Sequence, residues 1–234
     1  MTIGLVFLSL LMGAIVWWLF RQTIHVQPWQ AQAAAPGLPG VAATSWPPAR
    51  MALWVFLAVA SSLFVLFISA YAMRLSLADW SPLPRPQLLM VNTGVLVLAS
   101  LAMEWTAHAT RRPDRQAVQR GLWASGALTA AFVVGQLVVW RQFHASGFVV
   151  ASSAASAFFY LLTGVHGVHV LGGLVAWGRA FHRVRTGADA AKVRLVVDLC
   201  ATYWHFLLAV WVVLYALLVS DSLGLAICSA SNAP

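Results

Sequence analysis

The sequence predicts an all-α integral membrane protein with six transmembrane helices, one N-terminal anchor followed by a five-helix bundle. Three observations lead to this fold class. Hydrophobic residues make up 61% of the 234 residues and charged residues only 9%, which leaves too few polar side chains to cover a water-soluble globule. The mean hydropathy is +0.81. Six apolar runs also approach or exceed the roughly 20 residues that a helix needs to cross a bilayer.

The first apolar run differs from the others in its flanks. The six runs cover Ile3 to Phe20, Met51 to Met73, Gln87 to His108, Gly121 to Trp140, Val149 to Gly178 and Val193 to Ser220. The first resembles a secretory signal peptide in length, but Met1 and Thr2 carry no positive side chain and the basic flank, Arg21, follows the run. We therefore expect residues 1–21 to form a retained transmembrane anchor.

The remaining chain divides by composition. Residues 22–50 are rich in alanine, and prolines oppose a regular helix there. These prolines are Pro28, Pro36, Pro39, Pro47 and Pro48. Residues 51–220 are expected to form the five-helix bundle, because their short connections make consecutive helices antiparallel neighbours. Residues 221–234 are assigned to a C-terminal tail.

Lysine and arginine collect in alternate loops. The loops after the first, third and fifth runs carry Arg21, Arg50, Arg111, Arg112, Arg115, Arg120, Arg179, Arg183, Arg185, Lys192 and Arg194. The opposite loops carry only Arg74, Arg85 and Arg141. This asymmetry predicts a multi-pass protein of a bacterial-type inner membrane with both termini outside the cytoplasm. Because the basic residues lie in short patches between apolar runs, lipid headgroups fit the net charge of +8 better than nucleic acid.

Two histidines, His166 and His169, lie inside the fifth apolar run. They are three residues apart, so they share one side of a helix. An ionisable ring in hydrocarbon marks a candidate functional site. Neighbours on one helix cannot straddle a haem, however, and a copper or zinc site would need further donors such as His108 or His205. The pattern favours two neutral imidazoles that form hydrogen bonds inside the bundle.

Two further acid–histidine pairs lie on neighbouring predicted helices. Asp198 and His205 are two helical turns apart, about 10 Å along one face, within reach of a polar group on another helix. Glu104 and His108 are four residues apart and can pair directly. Both pairs are compatible with a proton path or polar lipid pocket, and equally with a network that ties helices together. A proton-coupled transporter built on Glu104 and Asp198 is disfavoured because the sequence contains no internal repeat.

Two stretches in the second half of the chain resemble a known family. Phe158-Phe159 leads through Thr163-Gly164-Val165-His166-Gly167-Val168-His169, and Tyr203-Trp204-His205-Phe206 with Trp211 follows. In this order the stretches resemble subunit III of haem-copper terminal oxidases, the cytochrome c oxidase and quinol oxidase family. With supporting stretches at 54–58, 92–108 and Gln136, the resemblance covers about Leu53 to Ser220. His166, His169, Trp204 and His205 match directly, and Asp198 keeps a carboxylate where the family usually has glutamate.

The resemblance implies a noncatalytic accessory subunit of a proton-translocating respiratory oxygen reductase. It implies phospholipid binding, support of proton uptake, and stabilisation of the catalytic subunit. It places no cofactor in this chain, expects haem and copper in a partner subunit I, and makes subunit II a further neighbour. The residues expected to serve as lipid contacts or in the helix network are Glu104, His108, His166, His169, Arg183, Arg185, Asp198, Trp204 and His205. Arg183 and Arg185 could equally enforce topology.

Two alternatives and one departure accompany this interpretation. A nitric oxide reductase accessory subunit belongs to the same family, and a haem- or copper-binding membrane cytochrome would use the histidines directly.

The sequence departs from the family pattern in its carboxylates. Three family positions that usually hold acids are Ala60, Val139 and Leu208 here. A proton-donating role therefore does not carry over to these positions.

Overall fold

The protein folds into long α-helices. The computed structural model describes residues 47–75, 80, 87–112, 114–187 and 189–222. Its helices are α1 (Pro48–Leu75), α2 (Gln87–Ala109), α3 (Arg115–Ala145), α4 (Ala154–Arg185) and α5 (Ala190–Ser222). These residues contain no strand, and all five helices are long and apolar enough to cross a membrane. The all-α, multi-pass prediction is confirmed for this part of the chain.

The predicted N-terminal anchor at residues 1–21 lies outside the described residues. Residues 22–46 of the predicted linker and the tail from residue 223 onward also lie outside them. The sixth helix of the predicted fold class therefore stays a prediction.

Local capping decides where α3 and α4 begin. α3 begins at Arg115, before the predicted Gly121, because the Asp114 carboxylate accepts a hydrogen bond of 2.9 Å from the Ala117 amide. α4 begins at Ala154, after the predicted Val149, where the Ser153 hydroxyl accepts from the Ser156 amide at 3.1 Å. The length of an apolar run indicates how much of the chain lies in the hydrocarbon of the bilayer, whereas the capping residue decides where the helix starts.

Glycines in the left-handed conformation follow two helix C-termini. Gly147 has φ 84° after α3, and Gly187 has φ 75° after α4. Residues with a Cβ rarely adopt this conformation, so glycine is the usual residue just past a helix end. Both helices thus extend past the predicted ends at Trp140 and Gly178 until the chain reaches such a glycine.

α2, α3, α4 and α5 form the main packed unit, in which α2 packs most extensively on α3. α5 contacts α2 and α4, and α3 contacts α4. Among the described helices, α1 contacts only α4 and α5. It is joined to them by a separate apolar cluster of Phe64 and Tyr71 with Leu162 and Leu214.

Tryptophan N–H groups cross-link the helices of the main unit. Each donates a hydrogen bond of 2.9–3.1 Å to a neighbouring helix, in the pairs Trp211 to Thr93, Trp204 to Thr129, Trp140 to Thr163 and Trp177 to the Leu122 carbonyl. A buried indole N–H needs a partner, because leaving it without one costs free energy. These bonds fix which helix faces meet.

Candidate functional site

A polar cleft opens at one end of the bundle, between the start of α1, the end of α2 and the first turns of α5. Its volume is about 370 Å³. Its lining residues are Arg50, Leu53, Trp54, Glu104, Ala107, Arg111, Asp198, Leu199, Ala201, Thr202 and His205. Side chains of both charges therefore meet beside apolar ones in one open cleft, which we call the polar cleft.

Glu104 holds two imidazoles at the polar cleft. Its Oε2 lies 2.9 Å from Nε2 of His205, and its Oε1 lies 3.2 Å from Nδ1 of His108. An ionised carboxylate only accepts hydrogen bonds, so Nε2 of His205 donates to Glu104, whereas Nδ1 of His108 donates to the Glu104 backbone carbonyl at 3.0 Å. Nδ1 of His205 then accepts from the Ser100 hydroxyl at 2.7 Å. The Glu104 carboxylate thus lies beside His108, as the spacing predicts, and a chain of hydrogen bonds runs from Ser100 through His205 to Glu104.

Arg50 and Asp198 form an ion pair across the same cleft. The guanidinium Nη2 lies 3.8 Å from the Asp198 carboxylate, and the two side chains are 47% and 29% exposed. The distance exceeds the 2.7–2.9 Å typical of a tight charge-assisted hydrogen bond. The pair links the first turn of α1 to α5 while leaving both groups able to bind another ion.

His166 is fully buried in the main unit. Its Nε2–H donates to the Leu207 carbonyl on α5 at 3.1 Å, and its ring lies against the rings of Phe132 and Trp211. Its Nδ1 has no hydrogen-bond partner among the described residues. The imidazole thus connects α4 to α5 inside the apolar core.

His169 faces a different neighbour. Its Nδ1–H donates to the Val165 carbonyl at 2.8 Å, and its ring lies beside Phe56 and Phe64 of α1. Three residues advance about 300° around a helix, so the two rings are about 60° apart and reach different partners. Of the two predicted hydrogen bonds, that of His166 crosses to α5, whereas that of His169 stays within α4. The described residues contain no group of three or more His, Cys, Asp or Glu placed to hold a metal ion.

The other predicted site residues lie away from the polar cleft. Trp204 is buried in the core, where it donates to Thr129. Arg183 and Arg185 are exposed in the last turn of α4, and the Arg185 guanidinium lies 5.8 Å from the centre of the Phe181 ring. The structure therefore brings together Glu104, His108, Asp198 and His205 of the predicted set.

Sequence reasoning missed two groups that line the polar cleft, Arg50 and Arg111, and the buried Ser100 that binds His205 beside it. Ser100 precedes Glu104 by one helical turn, as Glu104 precedes His108, so the i, i+4, i+8 spacing could have identified it. Arg50 and Arg111 entered only the topology count. Their positions distinguish them from the other arginines, because Arg50 lies in the first turn of α1 and Arg111 follows the end of α2.

Comparison with known proteins bears on the whole described fold. The family model for cytochrome c oxidase subunit III matches residues 49–220. The chain belongs to this family. The match covers all five described helices almost completely. As a member of the subunit III family, the chain is an accessory-type subunit of an oxidase complex.

Individual relatives agree with the family match. A probable cytochrome c oxidase subunit 3 of Mycobacterium bovis is 32% identical over 166 residues, 68% of this chain and 78% of the relative. Cytochrome c oxidase subunit 3 of Synechocystis is 30% identical over 169 residues, covering 70% of this chain and 71% of the relative. The Thermostichus vulcanus protein of the same name is 28% identical over 173 residues, covering 72% and 85%.

Two positions where subunit III usually carries acids are buried here. Ala60 is 4% exposed on α1 and Val139 is 0% exposed on α3. A carboxylate at either position would need a buried partner. Two of the six acidic residues of the sequence, Glu104 and Asp198, instead line the polar cleft.

Proposed function

We propose that the chain is the noncatalytic third subunit of a respiratory haem-copper oxygen reductase in a bacterial-type inner membrane. It packs beside a haem-copper subunit I, with subunit II in the same complex. It retains phospholipid at the polar cleft, and it supports proton uptake and durability of the catalytic subunit. The observation that carries this proposal is the subunit III family match over residues 49–220.

The use of the buried imidazoles supports a packing role. His166 and His169 each donate one ring N–H to a backbone carbonyl and pack against aromatic rings. Such contacts fix α4 between α5 and α1. The exposed imidazole–carboxylate pairs lie in or beside the open polar cleft, where exchange with lipid headgroups and water is possible.

Two features support a role of the polar cleft in proton uptake: its imidazole and carboxylate groups, and the asymmetric distribution of arginine and lysine between the two ends of the bundle. A second cleft of about 270 Å³, lined by Thr110, Arg115, Val184 and Ala190 among others, joins the ends of α2 and α4 to the starts of α3 and α5. The arginine-rich connections thus share one end of the bundle, which the positive-inside rule places in the cytoplasm. Glu104 with His205 and His108 would then hold exchangeable protons on the side from which the oxidase draws them.

Affinity purification tests the proposal. Membranes containing the tagged full chain are extracted in mild detergent, and the co-purifying subunits are identified by mass and by reduced-minus-oxidised haem spectra. We expect a large haem-bearing subunit in fixed ratio to the chain. Recovery of the chain alone, from membranes that retain an assembled oxidase, would contradict the proposal. A haem band in the isolated chain would instead favour a cytochrome.

A further inference from the structure

We propose that the polar cleft selects phospholipids whose headgroup ends in a primary ammonium, over choline and glycerol headgroups. The inference rests on the lipid retention assigned to this chain above, and it names the headgroup class. The lipid phosphate lies on Arg50 and Arg111, and the ammonium lies on Glu104 and Asp198. Four charged side chains of two signs line this one cleft.

The charged groups have capacity for a ligand. Asp198 has only Arg50 as an ion-pair partner in the described part of the chain, at a distance of 3.8 Å. Arg111 has no side-chain partner among the described residues. Glu104 is 42% exposed although it binds two imidazoles. A zwitterionic headgroup inserted here would meet a cation for its phosphate and a carboxylate for its amine.

The chemistry of the headgroup decides the preference. A primary ammonium donates three hydrogen bonds, and carboxylates accept them. A choline headgroup donates none and is recognised by several aromatic faces, whereas among the described residues Trp54 is the one tryptophan, tyrosine or phenylalanine that lines the cleft. A glycerol headgroup can place its phosphate on the same two arginines and donate neutral hydroxyl hydrogen bonds, but it brings no cation to balance the charges of Glu104 and Asp198.

The position of the cleft suits a lipid of the bilayer. Arg50 lies in the first turn of α1 and Arg111 just past the end of α2, at the depth of headgroups. From His205 the same face of α5 continues one and two turns further with exposed Ala209 and Val212. Acyl chains can follow this apolar track while the headgroup remains at the charged end.

Native mass spectrometry of the purified full chain, with whatever subunits accompany it, tests the inference. After partial delipidation the protein is titrated with an equimolar mixture of dioleoyl phosphatidylethanolamine, phosphatidylcholine and phosphatidylglycerol. We expect the ethanolamine lipid to be retained about tenfold over each competitor, the size of effect that a charge-assisted hydrogen bond provides. Equal retention of the three lipids, or preference for phosphatidylglycerol, would overturn the inference.

Substitutions locate the selection. Glu104→Gln and Asp198→Asn, tested separately, should each reduce the ethanolamine preference several-fold. Asp189→Asn removes the same charge at the same end of the bundle but outside the cleft, and it should leave the preference intact. An unchanged preference in both cleft variants would place the selection elsewhere and overturn the inference. The mass spectrum shows lipid bound to this chain whether or not a haem-bearing subunit accompanies it. An ethanolamine preference in a chain without such a partner would therefore contradict the oxidase proposal but leave the lipid inference standing.

Discussion

Glu104 shows how one side chain can join distant parts of a membrane bundle. It binds His108 within α2 and His205 on α5. The first contact follows from i, i+4 spacing and was predicted from the sequence. The second joins residues 101 positions apart and depends on α2 packing against α5. No local pattern in the sequence carries that information.

Replacing His205 tests the role of this hydrogen-bond chain. His205→Ala removes the ring that connects Ser100 to Glu104, so both side chains lose a hydrogen-bond partner and α2 loses this link to α5. We expect the purified complex to keep its haem spectra but to lose activity faster during continuous turnover, with a half-life reduced several-fold.

The matched control is His144→Ala, since His144 is exposed in the last turn of α3, far along the chain from the cleft. It should leave the half-life unchanged. Altered haem spectra in the His205 variant would show that the residue acts on the cofactor environment and would contradict the proposed accessory role. An equal effect of both substitutions would show that the polar cleft has no special part in durability.

At the scale of the helix, the sequence predicted the spans and not their ends. The apolar runs located all five described helices. The ends of α3 and α4 are set by Asp114, Ser153, Gly147 and Gly187, whose effects are local and independent of hydrophobicity. Pro48 similarly opens α1 three residues before the predicted Met51, because proline is well tolerated in the first turn.

Adjacent glycines on α4 give a test of helix packing. A Cβ added to Gly173 would lie 2.9 Å from Cε1 of Tyr203 and 3.4 Å from Cζ3 of Trp204, whereas one added to Gly172 meets no atom within 4 Å. We expect Gly173→Ala to destabilise the bundle by about 1–3 kcal/mol through overpacking.

Gly172→Ala is the control, one residue away on the same helix. It should be neutral or stabilising by up to about 1 kcal/mol, since alanine favours helix over glycine. Thermal unfolding in detergent, followed by circular dichroism, measures both variants. A Gly173→Ala protein as stable as the Gly172→Ala protein would contradict the packing of α4 against α5 described here.

For the whole molecule, the main prediction from the sequence that the structure does not test is orientation. The loop between α3 and α4 contains few basic residues, and the loop between α4 and α5 follows the basic end of α4. The positive-inside rule therefore places the first loop outside and the second inside the cell.

Labelling of single introduced cysteines tests this orientation directly. In a Cys228→Ser background, Ala151→Cys should react with a membrane-impermeant maleimide in intact cells, because Ala151 is exposed in the outer loop. Thr186→Cys, exposed beyond α4, should react only after permeabilisation. The parent with Cys200 alone gives the background, since that thiol is buried. The reverse pattern would invert the topology and move the polar cleft to the outer surface.

The limited contacts of α1 have a consequence for how the protein is made. α2 and α3 are consecutive and pack most extensively on each other, so they can pair while the ribosome is still extending the chain. α1 is synthesised before them, yet it contacts only α4 and α5 among the described helices, and its ion pair waits for Asp198. During translation α1 must therefore stay in the lipid until α4 emerges, and its set of neighbours is complete only when α5 follows. A chain truncated before α5 would leave α1 held by α4 alone and without its ion pair, and so more open to degradation.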